Sequence, residues 1–193
     1  PLDAEWLTWE KHPANPVLAL ETHGGPPFLG DWRDPFIFTA EGRNFLVLGA
    51  ETQTEGEVAL YEALDDSLLR WRYCGPLVKE ERIKGRFLEC PNFVQLAPTQ
   101  EGGPSKWVLL TSPYNLVEYT TGAFDARSLT FAPEQHGILD AGRGETPNFY
   151  ATNLVEDPAG NTILLGWVRG FAKGRGWNGA LALPRLLTVD GDG

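Results

Sequence analysis

The chain has 193 residues, with 16 Lys and Arg against 26 Asp and Glu, for a formal net charge of −10. That length suits one domain or part of one, and 42% hydrophobic residues with 7 Trp and 10 Phe exclude a disordered chain. The acidic balance argues against nucleic acid, whose phosphates attract Lys and Arg, and no run approaches the ~18 consecutive apolar residues of a membrane helix.

The chain opens Pro1-Leu2-Asp3 and contains no Met, a start that either removal of an initiator Met or proteolytic processing would leave. The 22 Gly and 15 Pro favour short strands and turns, and no stretch carries a helical period. Cys74 and Cys90 could form one disulfide but not a scaffold. His12, His23 and His136 lack metal-ligand spacing, so neither metal nor cofactor is expected.

A pattern then recurs along the chain. Arg33-Asp34-Pro35-Phe36, Glu89-Cys90-Pro91-Asn92-Phe93 and Glu145-Thr146-Pro147-Asn148-Phe149 place prolines at 35, 91 and 147, so both intervals are 56 residues. Each is followed by a turn (Glu41-Gly42, Glu101-Gly102-Gly103, Asp157 to Gly160) and a solid apolar run (Phe45–Leu48, Trp107–Leu110, Ile163–Leu165). Short apolar runs bounded by turn residues read as strands buried on both faces. A third strand is legible at Val58–Tyr61 and Val117–Tyr119. Repeats of about 50 residues with about four strands each predict an all-β chain of propeller type. Residues 1–193 are expected to form one partial propeller, with repeats starting near 33, 89 and 145 and a closing strand near 177–189.

In a propeller, residues just before each innermost strand converge at one mouth of the central channel. The repeat therefore brings Arg33 and Asp34, Glu89 and Cys90, and Glu145 and Thr146 to one rim. Two carboxylates in one cleft are the equipment of glycoside hydrolysis, one as proton donor and the other kept ionised. Arg33 beside Asp34 favours its charged form, and the apolar stretch Phe87-Leu88-Glu89-Cys90 favours a protonated Glu89. Trp32, Trp167 and Trp177 could stack on sugar faces or pack in the core or between blades, and packing is the favoured reading for Trp167 within its apolar run.

These residues resemble those of glycoside hydrolase family 32, the invertases, inulinases, levanases and fructosyltransferases. Trp32-Arg33-Asp34-Pro35 is similar to its RDP motif and Glu89-Cys90-Pro91-Asn92-Phe93 to its EC motif. Trp9 to Leu18, Tyr119 to Phe124, Asn148 to Ala151, and Trp177 to Leu187 with Leu183-Pro184-Arg185 resemble further family segments in the same order. The resemblance implies a five-bladed propeller, of which this chain supplies about three blades and a closing strand, and a retaining mechanism on sucrose or fructo-oligosaccharides. It implies Glu89 as acid and base and Asp34 as transition-state stabiliser. Arg33, Trp32, Cys90 and Glu145 are the expected substrate-side residues, with Cys90 tuning the surroundings of Glu89. A longer link after Asp140 leaves the third repeat, with Asp140 and Glu145, the least secure match.

The family nucleophile, an Asp in a W-M-N-D-P-N-G motif, has no counterpart here, and Asp3 does not match it. The expectation is one piece of a processed or split enzyme, completed by a second polypeptide or by self-association. A truncated, inactive propeller that binds carbohydrate or partners is the alternative. The resemblance leans towards a secreted protein without fixing the compartment.

Overall fold

The structure is a computed structural model and describes residues 1–81, 87–100, 102–141 and 148–190. Among them there is no helix, and twelve strands form three antiparallel sheets. Sheet one runs β1 (Trp32–Ala40), β2 (Arg43–Glu51), β3 (Glu55–Ala63) and β4 (Trp71–Glu81) in sequence order. Sheet two repeats that order with β5 (Glu89–Leu96), β6 (Lys106–Ser112), β7 (Glu118–Asp125) and β8 (Thr130–Ile138). In sheet three, β10 (Thr162–Val168) lies between β9 (Phe149–Glu156) and two short strands, β11 (Ala180–Leu181) and β12 (Arg185–Leu186). Both short strands pair with β10.

Local chemistry accounts for the meander. Ala40 pairs with Arg43, so Glu41 and Gly42 alone make the β1–β2 turn, both at positive φ (49° and 73°). Such two-residue turns match the twist of the strands they join. The solid apolar run of β2 is explained by burial on both faces. Phe45 and Val47 join a core shared with sheet two, while Leu46 and Leu48 face the segment 18–28. Phe93 centres the first core. Its ring stacks on Trp107 at 4.8 Å and meets Phe38, Phe131 and Phe124 edge-on at 5.1, 5.1 and 5.4 Å. A second core joins sheets two and three through Leu96, Leu110, Phe149, Leu154 and Leu164.

Each innermost strand carries the same irregularity at its start. Two residues oppose one between Arg33 and Phe36, between Glu89 and Asn92, and between Tyr150 and Asn153. The first of the two bulged residues is left-handed each time: Asp34 at φ 64°, Cys90 at 48° and Ala151 at 49°. Bulges re-aim side chains at sheet ends, commonly beside functional sites. Register therefore aligns Arg33 with Glu89 at the expected interval of 56, but Glu89 with Tyr150 at 61. The spacing of Pro147 pointed to Glu145 as the third ring residue. The third bulge instead lies five residues later, because β9 starts at Phe149, and Tyr150 occupies that place. Glu145 itself, with Thr146 and Pro147, lies outside the described residues.

The 18–28 segment is pinned to sheet one by His23, only 6% exposed. The Gly25 amide can only donate and contacts Nδ1 at 3.2 Å, so Nδ1 is the accepting nitrogen. Tyr61 donates to the same nitrogen at 2.8 Å, Trp32 Nε1 donates to the Tyr61 oxygen at 3.2 Å, and Nε2–H donates to the Pro26 carbonyl at 3.1 Å. The neutral ring is fully used, and burial holds its pKa below 6.5 against the opposing pull of the Pro26 carbonyl. Around it stand Tyr61, Tyr73 and, bonded to Tyr73 at 2.9 Å, the buried Glu57, whose pKa burial raises.

Because the folded His23 value lies below the unfolded one, its contribution to stability is complete above pH ~6.5 and is lost as pH falls through that value. Glu57 acts in the opposite sense, its contribution being lost as pH rises through its raised folded value. His23→Phe is expected to cost about 1–3 kcal/mol near pH 7.5, from polar groups left unpaired. It should also flatten the loss of stability below pH ~6.5, as measured by urea midpoints across that range.

Candidate functional site

Arg33 is the hub. Its Nη2 donates to Glu89 Oε1 at 2.6 Å and to the Tyr114 hydroxyl at 2.7 Å, and its Nε lies 3.9 Å from Asp34 Oδ2. Its Nη1 is bonded to Asp31, and its guanidinium lies 4.4 Å from the centre of the Phe87 ring. One guanidinium thus touches the two carboxylates that the chain separates by 55 positions. Burial alone would lower the Arg33 pKa, but the bonds to Glu89, Asp31 and Tyr114 outweigh it and hold the group charged. Glu89 is the more enclosed carboxylate, with its side chain 15% exposed against 31% for Asp34.

Asp34 is fixed from across the mouth. Its Oδ2 accepts the Cys90 amide at 3.0 Å and the Cys90 thiol at 3.6 Å. Burial first, and the Asp34 charge second, push the Cys90 thiol pKa up to about 12, so it stays a protonated donor. Cys90 was expected to tune Glu89, yet its hydrogen bonds go to Asp34, because its left-handed backbone turns both N–H and Sγ that way. Both cysteines are free thiols.

The Tyr150 hydroxyl reaches Glu89 Oε2 at 2.6 Å and the Ser112 carbonyl at 2.5 Å, and accepts the Tyr114 amide at 2.8 Å. Burial and then Glu89 raise its pKa, so the phenol keeps its proton. Tyr114 sits at φ 56° with 47% of its surface exposed at this mouth. A bulky residue in that conformation is strained by roughly 1–3 kcal/mol, which its two contacts must offset. Gly49 opposes Arg33 in the register, and a Cβ there would stand 2.5 Å from the Leu88 carbonyl. Only glycine lets sheet one approach the backbone that carries Glu89.

Of the other expected residues, Trp32 does not join this mouth. Neighbouring residues of a strand face opposite sides, and its ring packs beside His23 and Phe28 with its Nε1 bonded to Tyr61. Asp140 is paired with Arg185 at 2.9 Å. Trp177 is exposed and meets Phe171 at 4.8 Å. Tyr114, Ser112 and Tyr150 were not among the expected site residues. The strand segment Asn148 to Ala151 held the one available signal, the tyrosine at its third position. Among the described residues no group of three or more His, Cys, Asp or Glu could share a metal ion.

Radial antiparallel sheets with an arginine and two carboxylates at a common rim define a propeller-type chain with a carboxylate-lined mouth. The sequence profile described as "Glycosyl hydrolases family 32 N-terminal domain" matches residues 2–193, and the chain belongs to that family. It is 29% identical over 189 residues to sucrose-6-phosphate hydrolase of Bacillus subtilis, covering 85% of this chain and 37% of that protein. It is 26% identical over 206 residues to fructan 6-exohydrolase of Beta vulgaris, covering 96% and 34%. Among solved structures, a Bombyx mori family 32 β-fructofuranosidase in complex with sucrose matches with a TM-score of 0.73 at 26% identity, covering 95% of this chain and 39% of that one. Fructan 1-exohydrolase IIa of Cichorium intybus matches in fold with a TM-score of 0.76, covering 96% and 37%. The chain spans little more than a third of the length of these relatives.

Proposed function

We propose that this chain carries the acid/base and transition-state-stabilising half of a β-fructosidase site acting on sucrose or fructans. The nucleophile, in this reading, comes from another segment or from a partner chain. The observation that carries it is the Arg33 guanidinium bridging Asp34 and Glu89 at one mouth. Family membership and relatives named for sucrose phosphate and fructan hydrolysis support the substrate class.

The mechanism follows from who can donate. Protonated Glu89 gives its proton to the glycosidic oxygen as the bond to the leaving sugar breaks. Glu89 then takes a proton from water, which attacks the fructosyl intermediate. Tyr150 serves both states. Its single proton goes to the Ser112 carbonyl while Glu89 is neutral, when the carboxyl can donate to the phenol oxygen. It goes to Glu89 when that group is ionised. When the proton turns to Glu89 the Ser112 carbonyl still accepts the Tyr114 amide at 3.0 Å, so the switch costs little.

Asp34 uses Oδ2 for Cys90, which leaves Oδ1 for fructose hydroxyls and its charge for the oxocarbenium-like transition state. Asp34→Asn keeps the shape and removes the charge. Fructose release from sucrose should fall by about a hundred- to a thousand-fold, mainly in kcat. Unchanged kcat in a folded Asp34→Asn protein would sink this assignment.

A further inference from the structure

Tyr114 is an exposed aromatic residue held with the rigidity of a buried one. The chain leaves β6 at Ser112, passes through the buried Pro113 and enters Tyr114 in the left-handed region, with the side chain open to solvent. Its amide donates to the Tyr150 hydroxyl at 2.8 Å and to the Ser112 carbonyl at 3.0 Å. Its hydroxyl accepts from Arg33 Nη2 at 2.7 Å, and its ring centre lies 6.3 Å from that of Phe87. A ring fixed at its amide and its hydroxyl loses little freedom when a ligand covers it. Arg33 can only donate, so the phenol keeps its own proton to offer to a ligand at the mouth.

Position around Arg33 decides which part of a substrate Tyr114 meets. Asp34 lies beside Nε, at 3.9 Å, whereas Glu89 and Tyr114 share Nη2. Tyr114 therefore flanks the acid rather than the transition-state stabiliser. In the mechanism above, Asp34 addresses the fructosyl ring and Glu89 the glycosidic oxygen, beyond which stands the leaving sugar.

Resting on that reading, we propose that Tyr114 holds the leaving sugar, and holds an acceptor sugar in the same place once the first has gone. The ring stacks on the C–H face of the sugar, and the phenol donates to one of its hydroxyls. By microscopic reversibility, the place a sugar leaves is a place from which a sugar can attack. The acceptor hydroxyl oxygen then bonds to the fructosyl carbon. The bond from that carbon to the nucleophile breaks, its electron pair returns to the nucleophile, and the hydroxyl proton goes to Glu89. Tyr114 thus sets how much fructose passes to a sugar and how much to water.

The test uses the active protein containing this chain, with a fructosyl fluoride as donor and glucose as acceptor. Fluoride leaves as the ion with its bonding pair, so the intermediate forms without a proton from Glu89. Water and glucose then compete for one intermediate, and each gives its proton to Glu89. A disturbance of Arg33 or Glu89 slows both routes together, so the ratio of transferred to free fructose reads the hold on glucose. That ratio should rise with glucose concentration and fall by about three- to ten-fold in Tyr114→Asn. Asn tolerates the left-handed backbone but offers no ring. Tyr114→Phe keeps the ring and removes the donor, and its ratio should lie between the two. Circular dichroism checks both folds. Ratios unchanged in the variants, even where both rates drop, overturn the proposal and leave Tyr114 as a prop for Arg33. Absence of transfer at every glucose concentration in the unaltered protein overturns it as well. Glu89→Gln is assayed on sucrose in parallel. Undiminished cleavage there overturns the site reading beneath the proposal, whereas lost cleavage with unchanged Tyr114 ratios overturns the proposal alone.

Discussion

Glu89→Gln is expected to lower fructose release from sucrose by about a hundred- to ten-thousand-fold while leaving the fold intact. Gln preserves the shape of the side chain and its bond from Arg33, but it can neither give a proton to the leaving sugar nor take one from water. The loss should depend on the leaving group. A fructosyl fluoride departs without needing a proton, so its first step should be nearly spared. The second step still needs a base, so the variant should release a burst of fluoride and then stall. A small anionic nucleophile such as azide, which needs no deprotonation, should relieve the stall. Equal losses on sucrose and on the fluoride, with no burst, would show that Glu89 does not act as the acid.

Phe93→Ala is expected to be the most damaging substitution to stability, at about 3–5 kcal/mol. Phe93 is fully buried, and four aromatic rings surround it, Phe38 from sheet one and Trp107, Phe124 and Phe131 from its own sheet. No small shift can collapse a hole of that shape, because each wall ring is itself fixed by another. For a chain of this length the loss corresponds to a fall in Tm on the order of 10 °C. Phe93→Leu keeps most of the volume and should cost less. Urea midpoints of the two variants measure the difference, and equal midpoints would mean that the aromatic cluster does not carry the interface. Phe93 shares β5 with Glu89, so the same core that resists unfolding also sets where the acid stands.

The expected sheets and the observed ones agree where the sequence pattern is local. The turn at Glu41-Gly42 and the runs Phe45–Leu48 and Trp107–Leu110 became strands as expected, since hairpins are decided by neighbouring residues. Arg33, Asp34, Glu89 and Cys90 were legible as one cluster because the first two repeats have equal length and the same bulge. The third repeat failed for a physical reason. Proline spacing is a proxy for strand starts, and the longer link before β9 moved the bulge five residues past Pro147's expected register. The Tyr150 phenol stands at that bulge, and Glu145 lies outside the described residues. Trp32 was misplaced because its place in the motif says nothing about which face of β1 it occupies.

What the sequence determined by itself was the all-β class, the repeat and the pair of acids, since each rests on residue type and on spacing along the chain. What only the tertiary structure decided was the company those acids keep. Tyr150, Tyr114 and Ser112 reach the mouth through register, bulges and the packing of one sheet on the next. Those contacts join residues tens of positions apart, and no local rule of side-chain periodicity encodes them.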